Sequence, residues 1–136
     1  MNCALCLGFQ REKNRCSGCN AKEGNKVNYC YVCKIKHCTE HNHTESDFCY
    51  SCDKFPCKRI KQLDRRYRTK YGMSMIQNLR IIDSHGINYF ADKQTKKWTC
   101  RKCGSLLSVH RDVCRNCGST NKVLARELIK LEKAKV

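Results

Sequence analysis

Six Cys-x-x-Cys pairs lie within 136 residues: Cys3/Cys6, Cys16/Cys19, Cys30/Cys33, Cys49/Cys52, Cys100/Cys103 and Cys114/Cys117. Each pair sets two sulfurs on one tight turn, and two such turns supply the four thiolates of a tetrahedral ion bound at about 2.3 Å. Cys38 and Cys57 stand outside the pairs and bring the total to 14. Aromatic residues make up only 8% of the chain, so a large apolar core is not expected. Chains of this kind need covalent or metal staples.

Spacing and context favour metal over seven disulfides. The chain opens directly on a cysteine turn, with no basic start and apolar stretch of an export signal, and no apolar run approaches the roughly 20 residues that span a bilayer. A cytoplasmic location is therefore expected, where structural disulfides are uncommon. The formal net charge is +16. Metal binding takes thiolates and releases protons, so three four-thiolate zinc sites would lower this to roughly +10. A protein so basic favours polyanions as partners, and of these nucleic acid is preferred, because no basic segment carries the broad apolar face that a membrane surface demands.

The composition divides the chain into four stretches. Residues 1–57 form a turn-rich, Cys-rich module expected to hold several metals. Within it Tyr29-Cys30-Tyr31-Val32-Cys33 followed by Cys38 repeats as Phe48-Cys49-Tyr50-Ser51-Cys52 followed by Cys57, which suggests two copies of one metal-binding turn with the aromatics covering it. Residues 58–92 read as a basic helical connector. Ile60, Leu63, Tyr67 and Tyr71 make one helical stripe, with Asp53 as the expected cap and Pro56 in the first turn. A second helix is expected from Ser74 to Ser84, apolar at Met75, Ile76, Leu79 and Ile82 and ended by Gly86, followed by a short strand at Ile87 to Phe90. Residues 93–120 carry the last two pairs. Residues 121–136 form a tail with Val123, Leu124, Leu128 and Leu131 at helical spacing.

The two C-terminal pairs are the sharpest motif. Both read Cys-x-x-Cys-Gly, ten residues apart. Two hairpin turns, each relieved by a glycine at positive φ, are what one tetrahedral site needs. With Trp98 two residues before the first cysteine, this stretch resembles the zinc-ribbon and rubredoxin-like families over about 21 residues. Those families imply a single zinc or iron, since four sulfurs suit either. Arg115 stands where rubredoxin-like turns commonly carry proline, and that departure, with the basic surroundings, favours zinc. His110 is expected to be a surface residue rather than a ligand.

Residues 1 to about 63 resemble a Cys-rich prokaryotic family called domain of unknown function 3795. The resemblance rests on Cys3-Ala4-Leu5-Cys6, Cys16-Ser17-Gly18-Cys19, the Cys30/Cys33/Cys38 cluster, and Cys49-Tyr50-Ser51-Cys52 closed by Phe55-Pro56-Cys57; it implies metal binding and no particular activity. Four pairs make two four-cysteine sites, wired sequentially, nested or crossed. Cys38 and Cys57 then complete a third site with two of His37, His41 and His43, replace a member of a neighbouring pair, or stay free. Three or four zinc ions follow, with iron or an iron–sulfur cluster as the alternative, although the Cys-x-x-Cys-x-x-Cys run of ferredoxin type is absent.

Lys58, Arg59, Lys61, Arg65, Arg66, Arg68 and Lys70 surround the first connector helix, opposed within it by Asp64 alone, and Arg101, Lys102 and Arg115 decorate the C-terminal turns. These bases are candidate phosphate contacts. No phosphate-cradling glycine loop, carboxylate pair or nucleophile motif points to catalysis. The expectation is a small metal-stapled α+β protein without enzymatic activity: an irregular Cys-rich N-terminal module, a helical connector and a C-terminal zinc ribbon that binds RNA, DNA or a ribonucleoprotein. The competing expectations are an iron-bearing redox or electron-transfer protein and an adaptor with a protein partner.

Overall fold

The structure is a computed structural model and describes residues 2–40 and 45–133. It is mostly helical. In the N-terminal module the described helices are single turns: a 3-10 turn at Cys3–Leu5, α1 at Leu7–Gln10, α2 at Asn28–Tyr31 and a second 3-10 turn at Cys49–Ser51. Three longer helices follow, α3 (Lys58–Tyr71), α4 (Met75–His85) and α5 (Ile87–Lys97), and α6 (Lys122–Lys133) closes the described chain. Among the described residues the β component of the expected α+β fold is reduced to two isolated antiparallel bridges, Thr99 with Leu106 and Val113 with Thr120.

The stripe expected on α3 faces inward: Ile60 is buried, and Leu63, Tyr67 and Tyr71 are half-buried. Its start differs from expectation. Phe55 N–H donates to the Cys52 carbonyl (2.8 Å), so residues 52–55 belong to the cysteine turn, Pro56 precedes the helix, and Cys57 rather than Asp53 is the N-cap. The helix ends at Gly72, φ 59°, whose N–H bonds the Arg68 carbonyl while Met73 N–H reaches the Tyr67 carbonyl at 3.3 Å.

Helix α4 follows the expected reading closely. Ser74 caps it, accepting from Gln77 N–H at 3.0 Å, and Gly86 ends it. A second device was not legible. Asp64, the one acid among the α3 bases, is buried, and one carboxylate oxygen accepts from the Ser74 hydroxyl (2.7 Å) and from Ile76 N–H (3.0 Å). It thereby locks the start of α4 to the middle of α3 and complements that helix's positive end.

The strand expected at Ile87 to Phe90 is instead the first turn of α5. Its inward face is Phe90, Gln94 and Trp98, spaced four apart and all buried. The stripe was hidden because its middle member is polar. Gln94 is tolerated there because its Oε1 accepts from the Trp98 indole N–H at 3.2 Å, which satisfies both buried groups.

The core gathers every part of the chain: Leu5 from the N-terminal module, Met73 and Met75 from the α3–α4 junction, Trp98, Cys100, Leu107, Val109 and Cys114 from the C-terminal turns, and Leu124 from α6. Leu5 is fully buried, and its carbonyl accepts from Val109 N–H (3.0 Å) and the Ser108 hydroxyl (3.1 Å). Gln10 Nε2 donates to the Ala4 and Leu107 carbonyls at 2.7 and 3.1 Å. The first ten residues thus dock on the C-terminal turns. At the other end, Asn121 caps α6 by accepting from Leu124 N–H (3.1 Å) and spends its two amide donors on the Ser108 and Arg111 carbonyls (3.0 and 2.8 Å). Val123 and Leu124 of the expected tail stripe pack into the core; the side chains of Leu128 and Leu131 lie outside the described residues. Among the described residues no helix is long and apolar enough to cross a membrane.

Candidate metal centre

Cys100, Cys103, Cys114 and Cys117 are brought together, their four sulfurs all within 4.8 Å of one another. Two turns of the same construction do this. Cys100 N–H donates to Ser105 and Cys114 N–H to Ser119, both at 2.8 Å, while Gly104 N–H returns to Cys100 at 2.8 Å and Gly118 N–H to Cys114 at 2.9 Å. Gly104 and Gly118 have φ of 74° and 68°, the left-handed conformation that side chains disfavour. The turns face each other so that Cys100 Sγ lies 3.7 Å from Cys117 Sγ and Cys103 Sγ 3.7 Å from Cys114 Sγ. A regular tetrahedron with bonds of about 2.3 Å has edges of about 3.8 Å, so the donor set fits one tetrahedral ion.

The surroundings prepare thiolates. Cys103 is brought down to about 5 by hydrogen bonds from the Ser105 and Asn116 side chains and the Ser105 N–H. Cys100 is lowered as well, foremost by the Ser119 hydroxyl, which lies 3.4 Å from Cys100 Sγ and 3.0 Å from Cys117 Sγ. Cys114 receives backbone N–H groups of Cys117 and Asn116, yet burial and the neighbouring thiols of Cys103 and Cys100 push it up. Four like charges at this spacing need a cation to coexist. Ser105 and Ser119 were missed in the sequence, although Cys-Gly-Ser occurs after both pairs and was a readable signal. Because residues that support the ligands tune affinity by 10–100-fold, Ser119→Ala is expected to weaken metal binding about 10-fold in competition with a chromophoric chelator.

His110 is half-buried rather than a surface residue. Its Nδ1 accepts from Leu7 N–H at 3.2 Å, Nε2 lies 3.4 Å from the Tyr67 hydroxyl, and the ring meets the Tyr67 and Tyr71 rings nearly edge-on, with centroids 6.0 and 4.8 Å away. Burial lowers its pKa, as suits a neutral ring that accepts a backbone N–H. It joins the N-terminal module to α3 and takes no part in the four-sulfur group.

The N-terminal sulfurs are gathered more loosely. Cys19 N–H donates to Cys3 Sγ at 3.3 Å, and the bond with Cys19 brings the Cys3 thiol down to about 5 while pushing Cys19 up. Gly18 N–H donates to Cys16 Sγ at 3.4 Å. Burial raises Cys30, helped by the neighbouring thiols of Cys16, Cys33 and Cys6. So Cys3, Cys6, Cys16, Cys19, Cys30 and Cys33 share one neighbourhood. Cys38, Cys49, Cys52 and Cys57 are half-buried beyond it. The His37 ring bonds the Tyr31 carbonyl at 2.8 Å; His41 and His43 lie outside the described residues. Of the aromatics, Phe48 and Tyr50 stack at 5.6 Å, whereas Tyr29 is 75% exposed and covers no turn.

The candidate bases separate into different surroundings. Lys58, Arg59, Lys61, Arg65, Arg66, Arg68 and Lys70 are all exposed on α3. Arg59 donates to the Lys34 carbonyl at 2.7 Å and Arg68 approaches Asp64 at 3.8 Å. Arg115 turns to the N-terminal module and donates to the Gln10 carbonyl. Arg101 and Lys102 instead border a cleft of about 830 Å³ with Lys96, Lys97, Lys122 and Arg126. Thr99, Cys100, Ser119 and Thr120 also line it, and its acid, Glu127, pairs with Lys97 at 3.4 Å and Lys130 at 3.6 Å.

Residues 1–62 match the model of a family described as a protein of unknown function, DUF3795. The match bears out the resemblance read from the N-terminal knuckles. It ends within α3, before the four-sulfur group. No curated protein and no solved structure matches the chain.

Proposed function

We propose that this is a noncatalytic zinc protein whose metal turns hold a basic cleft against the phosphates of RNA or DNA, alone or within a ribonucleoprotein. The observation that carries the reading is the cleft itself. Six Lys and Arg side chains from the last turn of α5, the first C-terminal knuckle and α6 converge on one concavity beside the four-sulfur group. The elements that present them are fixed to one another through Trp98, Cys100 and Leu124. Bases held in a concave site concentrate positive potential where a phosphate backbone can enter, whereas the exposed α3 bases line an open helix face. Zinc is favoured at the knuckles as a zinc-ribbon centre: the sulfur spacing suits one ion, and a closed four-thiolate site leaves no position for substrate. An anaerobic preparation that is coloured and rich in iron would overturn the zinc assignment and favour redox chemistry.

The binding test is a salt titration with fluorescent 20-nucleotide RNA and DNA. With four phosphate contacts, affinity should fall about 50-fold between roughly 50 and 200 mM salt. Arg101→Glu with Lys102→Glu should reduce the slope of log K against log salt by about 1.4, on the basis of roughly 0.7 per phosphate contact for single strands. Arg65→Glu with Arg66→Glu should change it less. Absence of binding at low salt, or equal effects of the two double variants, would remove the cleft from this role.

A further inference from the structure

Cys38 and Cys57 sit at equivalent places in the two copies of the sequence repeat, yet the structure does not treat the copies alike. Cys57 ends the second copy as the N-cap of α3, its carbonyl accepting from Lys61 N–H at 3.0 Å. The turn before it is tight: Cys52 N–H donates to the Cys49 carbonyl at 3.1 Å and Phe55 N–H to the Cys52 carbonyl at 2.8 Å, so residues 49–55 form two successive turns that lead directly to Cys57. Cys38 ends the first copy, but two contacts carry its segment over to the second. Lys54 Nζ pairs with Glu40 at 2.9 Å, two residues past Cys38, and Arg59 of α3 holds the Lys34 carbonyl at 2.7 Å, four residues before it. The neighbourhoods agree. After burial, the groups that raise the Cys49 thiol are Cys57, Cys38 and Cys52, in that order, while Cys30 answers to Cys16, Cys33 and Cys6.

We propose that Cys38, Cys49, Cys52 and Cys57 form a second four-thiolate site for a soft divalent ion of the zinc class. The proposal goes beyond the C-terminal centre and rests on the zinc reading only for the choice of ion. The donor chemistry is uniform, four sulfurs with no carboxylate among them, which selects zinc, iron(II) or cobalt(II) over hard cations. Cys57 is fixed as the N-cap of the 14-residue α3, so its place relative to the 49–52 turn is set by the start of that helix. These sulfurs are less tightly gathered than those of the C-terminal group. An ion entering here takes the four sulfurs as thiolates and releases their protons, drawing the four donors to one centre. The ten N-terminal cysteines then divide into this group of four and the earlier group of Cys3, Cys6, Cys16, Cys19, Cys30 and Cys33, and Cys38 crosses from its own repeat into the next.

The test uses the full-length zinc-loaded protein, with metal counted by native mass spectrometry and each cysteine's alkylation rate mapped by peptide. In the unaltered chain Cys38 and Cys57 should be protected together with Cys49 and Cys52. Cys38→Ser should release one metal equivalent per chain and expose Cys49, Cys52 and Cys57, leaving Cys30 and Cys33 protected. Cys57→His, which keeps a zinc ligand, should retain the metal and shift the cobalt(II) spectrum to that of a three-sulfur, one-nitrogen site. Rapid alkylation of Cys38 or Cys57 in the unaltered zinc-loaded chain would overturn the proposal without recourse to any variant. So would exposure of Cys30 and Cys33 rather than Cys49 and Cys52 in Cys38→Ser, because the repeat would then be wired within itself. Cys100, Cys103, Cys114 and Cys117 report separately in the same map, so failure of the C-terminal zinc assignment is read independently.

Discussion

Stripping metal from the C-terminal centre is expected to unfold more than the two turns that hold it. Binding at structural four-ligand zinc sites is worth about 10–16 kcal/mol near neutral pH, as large as the whole stability of a typical domain, about 5–15 kcal/mol. Here no sheet stands ready to replace it, because the backbone of residues 98–121 is tied across by two isolated bridges and a few turn bonds. The same stretch supplies Trp98, Leu107 and Val109, three of the most buried apolar residues, and Cys100 and Cys114 are themselves core members. Loss of the ion leaves four thiolates at tetrahedral spacing with their charges uncompensated, so they must take up protons or move apart, and the turns loosen. The anchors for Leu5 and Leu7 at Ser108, Val109 and His110 go with them. Trp98 is the chain's one tryptophan and is fully buried, so the readout is direct. Chelation, or Cys100→Ser, should shift its emission to the red and abolish amide-exchange protection at Val109 together with that of the 98–107 stretch. Unchanged emission from protein proven metal-free at this site would refute the dependence of the core on the ion.

What was legible in the sequence followed from periodicity and paired chemistry. The stripes of α3 and α4, the Ser74 cap and the Gly86 stop are written in single local patterns, and the C-terminal knuckles announce themselves twice over. Apart from Ser105 and Ser119, whose Cys-Gly-Ser signal is local, the missed features are side chains whose role depends on a partner that periodicity does not mark. Asp64 looked like a lone acid among bases, because its partners Ser74 and Ile76 lie beyond a turn. Gln94 concealed α5 by placing an amide where a stripe should be apolar, and only its bond to the Trp98 indole makes that position an inward one. His110 and Asn121 were ordinary polar residues until backbone groups from Leu7, Ser108 and Arg111 came within reach. In the Cys-rich module the difficulty was different: equal spacings permit several wirings, and the contact that bears on the proposed one, Glu40 with Lys54, is encoded by no spacing.

Gly72→Ala is expected to be among the most damaging single substitutions outside the cysteines. Two costs coincide there. The residue ends α3 at φ 59°, a left-handed conformation that costs an L side chain about 1–2 kcal/mol. A Cβ at this place would also lie 2.3 Å from the Glu127 Cβ and 3.1–3.2 Å from its backbone, so that α6 must move away bodily, and overpacking of this kind costs about 1–3 kcal/mol more. The move cannot be confined to Glu127. Leu124, one turn earlier on α6, is buried in the core beside the Trp98 and Cys100 cluster, and Asn121 caps the same helix while holding two carbonyls of the 108–111 stretch. Displacing α6 therefore loosens the wall of the C-terminal centre and separates Lys122 and Arg126 from the rest of the basic cleft. Gly104→Ala is the natural comparison, with φ 74° but nothing within 4 Å of its added methyl, so that it carries strain without collision. Under saturating zinc, melting of the Gly72 variant should fall by on the order of 10 °C and that of the Gly104 variant by roughly half as much or less. The Gly72 variant should also weaken RNA binding, since the cleft loses one of its sides. Equal losses for the two glycines would mean that the close approach of α6 to the α3–α4 junction contributes nothing, and that backbone strain alone accounts for the effect.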